Sequence, residues 1–293
     1  SRYAQARSLP CVSVQHHHAH IGAVLAEQQL RGPVIGVVLD GTGFGPDGSI
    51  FDGEIYRADR HQFTRLGHLA TMALPGGDRA ALEPWRMAFS LLYTLLGDQA
   101  FQPHHQPQAL HGIEQSRQQL LGQMLAKKVN CPLTSRCGRL FDGVSALMGL
   151  SLVSQFEGQA AMLLEQQAWL ADDDAAKGRY PVALEWIDDQ VIITNTAMVA
   201  GLLIDLAQGV SVPVMARSFH LWLVEALVQS LLQLRTTTGL DQVVLAGGCM
   251  QNKLLFERLC QSLRAHGFIV HAGELVPMTD GGLALGPADM GGV

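Results

Sequence analysis

Val34-Ile35-Gly36-Val37-Val38-Leu39 runs without a polar residue into Asp40-Gly41-Thr42-Gly43-Phe44-Gly45. Its apolar positions do not alternate with polar ones, so the strand they predict is covered on both faces. The glycines that follow form a turn, and Pro46-Asp47-Gly48 leads into a second strand near Ile50–Arg57, giving a β-hairpin. Gly43-Phe44-Gly45-Pro46-Asp47-Gly48 spells G-x-G-x-x-G, but a dinucleotide loop must open a helix and this one opens a strand. What the strand end offers instead is consecutive backbone N–H groups at Gly41, Thr42 and Gly43 for phosphate oxygens. Beside them stands a carboxylate, Asp40, able to hold a cation.

Working outward, a short apolar strand is expected at Cys11–Val14 and a helix from about His16 to Gln29, ended by Gly32-Pro33. A third strand is expected near Phe63–Leu69. Helical periodicity follows at Arg79–Leu96, Ile113–Lys128, Arg139–Ser154 and Gly158–Ala171, with loops at Pro103–Pro107 and Asp172–Gly178. Val182–Trp186 and Val191–Ile193 read as a hairpin, and Thr196–Gln208 and Val214–Thr237 as long helices. Then come strand Val243–Ala246, turn Gly247-Gly248, helix Asn252–His266, strand Phe268–His271 and a final helix at Gly281–Met290. A hairpin part, a helical insertion and a strand–loop–helix part predict an α/β protein of two lobes around a cleft.

Composition narrows the class. Of 293 residues 48% are apolar and 16% charged, which excludes intrinsic disorder. Lys+Arg 20 against Asp+Glu 26 leaves a net charge of −6, unlike a dedicated nucleic-acid binder. No apolar run is long enough to span a membrane, and a soluble, cytoplasmic protein is expected. The five cysteines (Cys11, Cys131, Cys137, Cys249 and Cys260) form no C-x-x-C pair, so free thiols are expected rather than disulfides or a cysteine zinc site.

Several clusters carry chemistry. His16 and His20 in His16-His17-His18-Ala19-His20 share one helix face and can grip one metal ion. Metalloproteases place Glu beside the first histidine, and here that residue is His17. His17 and His18 point elsewhere and are expected to be packing or surface residues. Gly76, Gly77 and Asp78 form a glycine turn opening a helix, suited to phosphate or ribose, or to simple capping by Asp78. Arg136, Arg139 and Asp142 surround another helix start, where the arginines can bind an anion or pair with Asp142 and Glu157. Cys137 lies beside them without a His–Asp companion. Gly247-Gly248 followed by Asn252 can carry a base or a phosphate, with Asn252 supplying hydrogen bonds. Asp280 precedes a glycine pair near the end. Two histidines four apart and one or two strand-end aspartates make a three- or four-ligand site for a divalent metal.

Seven motifs occur in order: Val14-Gln-His-His-His-Ala-His20, Asp40-Gly-Thr-Gly-Phe-Gly45, Leu74-Pro-Gly-Gly-Asp78, Glu83-Pro-Trp-Arg-Met-Ala88, Ser135-x-x-Gly-Arg-Leu-Phe-Asp142, Phe156-Glu-Gly-Gln-Ala-Ala161 and Leu245-Ala-Gly-Gly-Cys-x-Gln-Asn252. Together they resemble the C-terminal Kae1-like domain of the HypF-type carbamoyltransferases that mature [NiFe]-hydrogenases. The resemblance implies the two-lobed actin/Hsp70/sugar-kinase (ASKHA) fold. It also implies a metal, zinc or iron, on His16, His20 and Asp280 with Asp40 as a further ligand. Gly41, Thr42, Gly43, Gly76, Gly77, Asp78, Gly247, Gly248 and Asn252 map onto the nucleotide pocket.

The implied reaction makes carbamoyl-adenylate from carbamoyl phosphate and ATP. The carbamoyl group then passes to a C-terminal cysteine thiol of a partner maturation protein, to become a cyanide ligand of iron. The partners implied are that acceptor and the upstream acylphosphatase-like, zinc-finger and YrdC-like domains, with no nucleic acid or membrane. The chain starts close to its histidine pair, so the resemblance implies a fragment lacking part of the first lobe. Residues 1–75 would be the remainder of that lobe, and 76–293 the helical insertion and second nucleotide-binding lobe. Two other readings of the same motifs stay open: a small-molecule O-carbamoyltransferase or kinase of this fold, and a non-catalytic nucleotide-binding scaffold. A sugar kinase has no use for His16 and His20.

Overall fold

The structure is a computed structural model that describes residues 6–7, 14–40 and 53–291. The first helix, α1 (His16–Glu27), leads to strands β1 (Val34–Leu39), β2 (Gly53–Ala58), β3 (Phe63–Leu69) and the short β4 (Met72–Ala73). Helices α2 (Arg79–Leu82), α3 (Trp85–Leu96) and α4 (Gln115–Lys127) follow. Next come β5 (Leu133–Thr134), α5 (Cys137–Leu147), α6 (Gln159–Ala168) and α7 (Asp173–Ala176). The chain continues through β6 (Ala183–Ile187), β7 (Gln190–Thr194), α8 (Thr196–Ala207) and α9 (Val212–Thr238). It ends with β8 (Gln242–Ala246), α10 (Lys253–Ala265), β9 (Ile269–Ala272) and α11 (Leu285–Gly291). Residues 11–13 of the expected Cys11–Val14 strand, the Asp40–Gly45 turn beyond Asp40 and the start of the second strand lie outside the described residues, and Val14 is in no strand.

Seven strands form one mixed sheet in the order β6-β7-β3-β2-β1-β8-β9. The unbroken apolar run of β1 is explained by its two covers. Ile35, Val37 and Leu39 face the larger core, while Val34 and Val38 join Ile21, Val24 and Leu25 of α1 on the other face. β1 pairs antiparallel with β2 and parallel with β8, Val38 lying opposite Ala246. Parallel pairing brings the C-terminal ends of β1 and β8 side by side, so Asp40 and Gly247-Gly248 emerge together at one sheet edge.

The helices differ from expectation where the backbone is interrupted. The segment 79–96 is two helices, because Pro84 holds Glu83 out of the helical region, at a ψ of 75°. The helix expected over 139–154 ends at Leu147, where Gly149 takes a φ of +76°. Asp173–Ala176, expected as loop, forms a helical turn, and the final helix opens at Leu285 after a 3₁₀ turn at Asp280–Gly282. β4 and β5 form a small two-stranded sheet with no alternation long enough to signal it.

α11 packs along α1. The contact is possible because residue 286 is glycine: a Cβ there would lie 2.0 Å from the Ala19 carbonyl oxygen. Among the described residues no helix is long and apolar enough to cross a membrane. Gly286→Ala must push α11 off α1 and is expected to lower stability by roughly 1–3 kcal/mol, the usual cost of overpacking. Chemical denaturation checks this, and an unchanged midpoint would contradict the packing described.

Candidate metal centre and cleft

The four-residue spacing in α1 works as geometry requires. Gln15 caps the helix, its side-chain oxygen accepting from the N–H groups of His17 (2.7 Å) and His18 (3.2 Å). His16 and His20 then project to one side, their Nε2 atoms 3.2 Å apart. His17 stacks on Tyr56 of β2, and His18 Nε2 donates to the Asp59 carbonyl at 2.6 Å. These two middle histidines are buried and fasten α1 to the hairpin.

Asp40 closes the site from the end of β1. Its Oδ2 lies 3.1 Å from His16 Nε2 and 3.0 Å from His20 Nε2, and its Oδ1 accepts the Gly248 N–H at 2.9 Å. Burial alone would raise this carboxyl, but the hydrogen bonds from His16, His20 and Gly248 hold it well below the usual carboxylate range. Gly247 makes the approach possible: its φ is +97°, and a Cβ would sit 2.4 Å from the Leu39 carbonyl oxygen. Asp280 Oδ1 completes the cluster at 3.5 Å from His16 and 3.3 Å from His20. His20 is 2% exposed and Asp280 59%, so the cluster opens on the Asp280 side.

The donor atoms of His16, His20, Asp40 and Asp280 all lie within 4.8 Å of one another. The nitrogen–oxygen and nitrogen–nitrogen separations of 3.0–3.5 Å match the edge of a coordination polyhedron with bonds of about 2.1 Å. Two imidazoles and two carboxylates suit zinc or iron, and a cation there offsets two like charges. The donor set fits a divalent metal.

The loop carrying Asp280 is held from a distance. Glu27, at the end of α1, accepts the N–H groups of Glu274 (2.8 Å), Leu275 (2.7 Å) and Val276 (3.3 Å), and Gly247 N–H donates to the Met278 carbonyl at 3.0 Å. Against its slight burial, these bonds lower the Glu27 pKa. No spacing in the sequence signals this clamp.

Asp40, Gly248, Thr279 and Asp280 also line a cleft of about 660 Å³, whose opposite wall is α5 and α6. Asn252 lines it too, but its side chain is already engaged. Oδ1 caps α10 by accepting Leu255 N–H at 3.0 Å, and Nδ2 donates to His220 Nε2 at 3.0 Å. His220 is fully buried, donates from Nδ1 to the Ala216 carbonyl at 2.8 Å, and is pushed down to about 4 chiefly by desolvation, so it stays neutral. Its part in fixing Asn252 is invisible to sequence reading.

The remaining candidates fall elsewhere. Gly41, Thr42 and Gly43 lie outside the described residues. Gly76, Gly77 and Asp78 are not among the described residues lining the cleft. Gly76 instead bonds to the Asn130 carbonyl and lies against Arg86, while Asp78 precedes α2 without a side-chain capping bond. Arg86 donates to Glu83 at 2.5 Å, and Arg86 and Arg117 both sit 4.8 Å from the Trp85 ring, so this motif holds a structural ion cluster. Cys137 is buried in the core. Arg139 and Asp142 pair with each other in the cleft wall.

Glu27→Ala leaves every donor in place but releases the Asp280 loop. Zinc affinity measured by competition with a chromophoric chelator is expected to fall roughly tenfold or more. Unchanged affinity would contradict the clamp.

Residues 36–287 match the family model described as carbamoyltransferase, Kae1-like domain, second subdomain. The chain is 37% identical over 298 residues to carbamoyltransferase HypF2 of Cupriavidus necator, covering 95% of this chain and 36% of that protein. It is 38% identical over 290 residues to carbamoyltransferase HypF of Rhizobium leguminosarum bv. viciae, covering 97% and 35%. It thus spans about a third of the length of these relatives. A crystal structure of full-length HypF in a phosphate- and nucleotide-bound form superposes with a TM-score of 0.90 at 32% identity, covering 99% of this chain and 37% of that one. The HypF structure from T. kodakarensis gives 0.86 at 28%, with 99% and 38% covered. Sequence, fold and the breadth of the match agree: the chain belongs to the HypF carbamoyltransferase family, and its residues 36–287 correspond to the second subdomain of the Kae1-like domain.

Proposed function

We propose that this chain is the carbamoyl-transfer site of a [NiFe]-hydrogenase maturation carbamoyltransferase. The observation that carries the reading is the convergence of His16, His20, Asp40 and Asp280 at the edge of a cleft whose rim is Gly248. A carbamoyl-adenylate, formed from carbamoyl phosphate and ATP in an upstream YrdC-like domain, binds in that cleft. The acceptor is the C-terminal cysteine thiol of a partner maturation protein. Its sulfur attacks the carbamoyl carbon, the bond from that carbon to the phosphate oxygen breaks, AMP leaves, and the thiol proton is released.

The chain's residues divide the work by chemistry. His16, His20, Asp40 and Asp280 would hold a divalent zinc or iron ion, which supplies positive charge beside the phosphate. The N–H groups of Gly247 and Gly248 are engaged by the Met278 carbonyl and by Asp40, so this turn shapes the rim at which the cation would meet the phosphate. Gly248 also fixes the carboxylate of Asp40, so ligand geometry and phosphate geometry are set by one turn. α6 and α5 cover the nucleotide and exclude water from the carbonyl, which protects the adenylate from hydrolysis.

The family's reported phosphate- and nucleotide-bound structure supports a nucleotide in a protein of this kind. The test uses this chain joined to an adenylate-forming domain of the family, with carbamoyl phosphate, ATP and the acceptor. His20→Ala is expected to lower acceptor carbamoylation, followed by intact-protein mass spectrometry, on the order of a hundredfold. AMP-forming consumption of carbamoyl phosphate should persist. Full transfer by a folded His20→Ala protein would contradict the proposal.

A further inference from the structure

His220 stands on α9 behind the cleft, fully buried, and touches two residues that line it. Its ring lies edge-on to Phe141 of α5, with centroids 5.4 Å apart, and its Nε2 is 3.0 Å from Asn252 Nδ2. Packing alone does not call for a histidine here. The ring sits between Phe141 and Phe219, where an apolar side chain costs less to bury.

The polar contacts of this imidazole admit one assignment of protons. A carbonyl oxygen only accepts, so Nδ1, 2.8 Å from the Ala216 oxygen, carries the hydrogen. Burial keeps the ring neutral, so Nε2 is a bare acceptor and the group facing it must be the NH₂ of Asn252. At its other end the Asn252 oxygen must accept, because Leu255 offers a backbone N–H at 3.0 Å. Turning the amide over would set acceptor against acceptor and donor against donor. Asn252 therefore has one orientation, and His220 imposes it.

Asn252 closes the turn that begins at Gly247. Its N–H donates to the Cys249 carbonyl at 3.1 Å, and Met250 N–H donates to the Gly247 carbonyl at 3.0 Å. Between them Gly248 N–H reaches Asp40 Oδ1 at 2.9 Å. This one turn thus connects the buried imidazole to the carboxylate. We propose that His220 is a positioning residue for the cation site: through Asn252 it fixes the turn whose Gly248 N–H orients Asp40 toward His16 and His20. The inference rests on reading His16, His20, Asp40 and Asp280 as a cation site.

Its test measures zinc affinity by competition with a chromophoric chelator in variants of this chain. His220→Leu fills the space without an acceptor, and affinity is expected to fall roughly tenfold, the lower end of what outer-shell partners contribute. His220→Gln can place its side-chain oxygen near the position of Nε2 and is expected to stay within about threefold of the unmodified chain. Asn252→Ser keeps a cap for α10 but does not reach His220, so it should lose as much as His220→Leu. The double variant His220→Leu/Asn252→Ser should lose no more than either single one, since one line of contacts is cut at two places. A purely structural role lowers stability and leaves the affinity of the folded protein unchanged. Affinity within about twofold of the unmodified chain in folded His220→Leu overturns the inference, as do equal losses with leucine and glutamine or losses that multiply in the double variant. If His220→Leu does not fold, Asn252→Ser decides by the same criterion. If the unmodified chain binds no zinc, the cation reading fails and takes this inference with it. Zinc bound equally by the chain and its variants removes only the assignment to His220.

Discussion

The carboxylate of Asp40 is shared between two parts of the chain more than two hundred residues apart, and the arrangement of the cleft edge follows from that sharing. One oxygen accepts the Gly248 N–H, and the other faces both histidines of α1. The sheet makes this possible, since parallel pairing of β1 with β8 brings Asp40 and Gly248 to the same edge. α1 reaches the same point because its Ile21, Val24 and Leu25 pack on the opposite face of β1 from the main core. Burying such a carboxylate is costly, and the Gly248 N–H together with a cation held by His16 and His20 would offset that cost.

The other members of the cluster depend on contacts around this one. Asp280 is exposed and sits on a loop, so its position is set by the Glu27 clamp at one end and by the Gly247–Met278 hydrogen bond near the other. α11 then lies against α1 through Gly286, closing the loop onto the histidine helix. The result is a graded site, with His20 and Asp40 deep and His16 and Asp280 toward the opening. A gradient of this kind would let a ligand approach a bound cation from the cleft while its innermost donors remain fixed.

Much of this was legible locally. The unbroken run Val34–Leu39 announced a strand covered on both faces, and His16 with His20 announced one helix face. Asn252 announced the start of α10, where it is the cap. The chemistry of Asp40 followed from its place at a strand end. Glycine turns were less informative, because they report a backbone conformation and not a location. Gly76, at a φ of +94°, has the glycine signature of a nucleotide loop and packs beside Arg86. Helix ends at Glu83 and Leu147 needed weight on Pro84 and Gly149 against a strong helical period. Glu27 and His220 act through partners 247 and 32 residues away, and no spacing rule reaches that far. Asp280 was placed by family resemblance alone.

The central claim is that four side chains from three separate segments hold one divalent cation. Zinc K-edge X-ray absorption on the chain loaded with one equivalent of zinc tests it most directly. The account predicts nitrogen and oxygen ligands at about 2.0–2.1 Å with imidazole scattering from two histidines. That scattering should vanish in a folded His16→Ala/His20→Ala protein. Failure to bind zinc or iron tightly, or a first coordination sphere with sulfur or without imidazole, would contradict it.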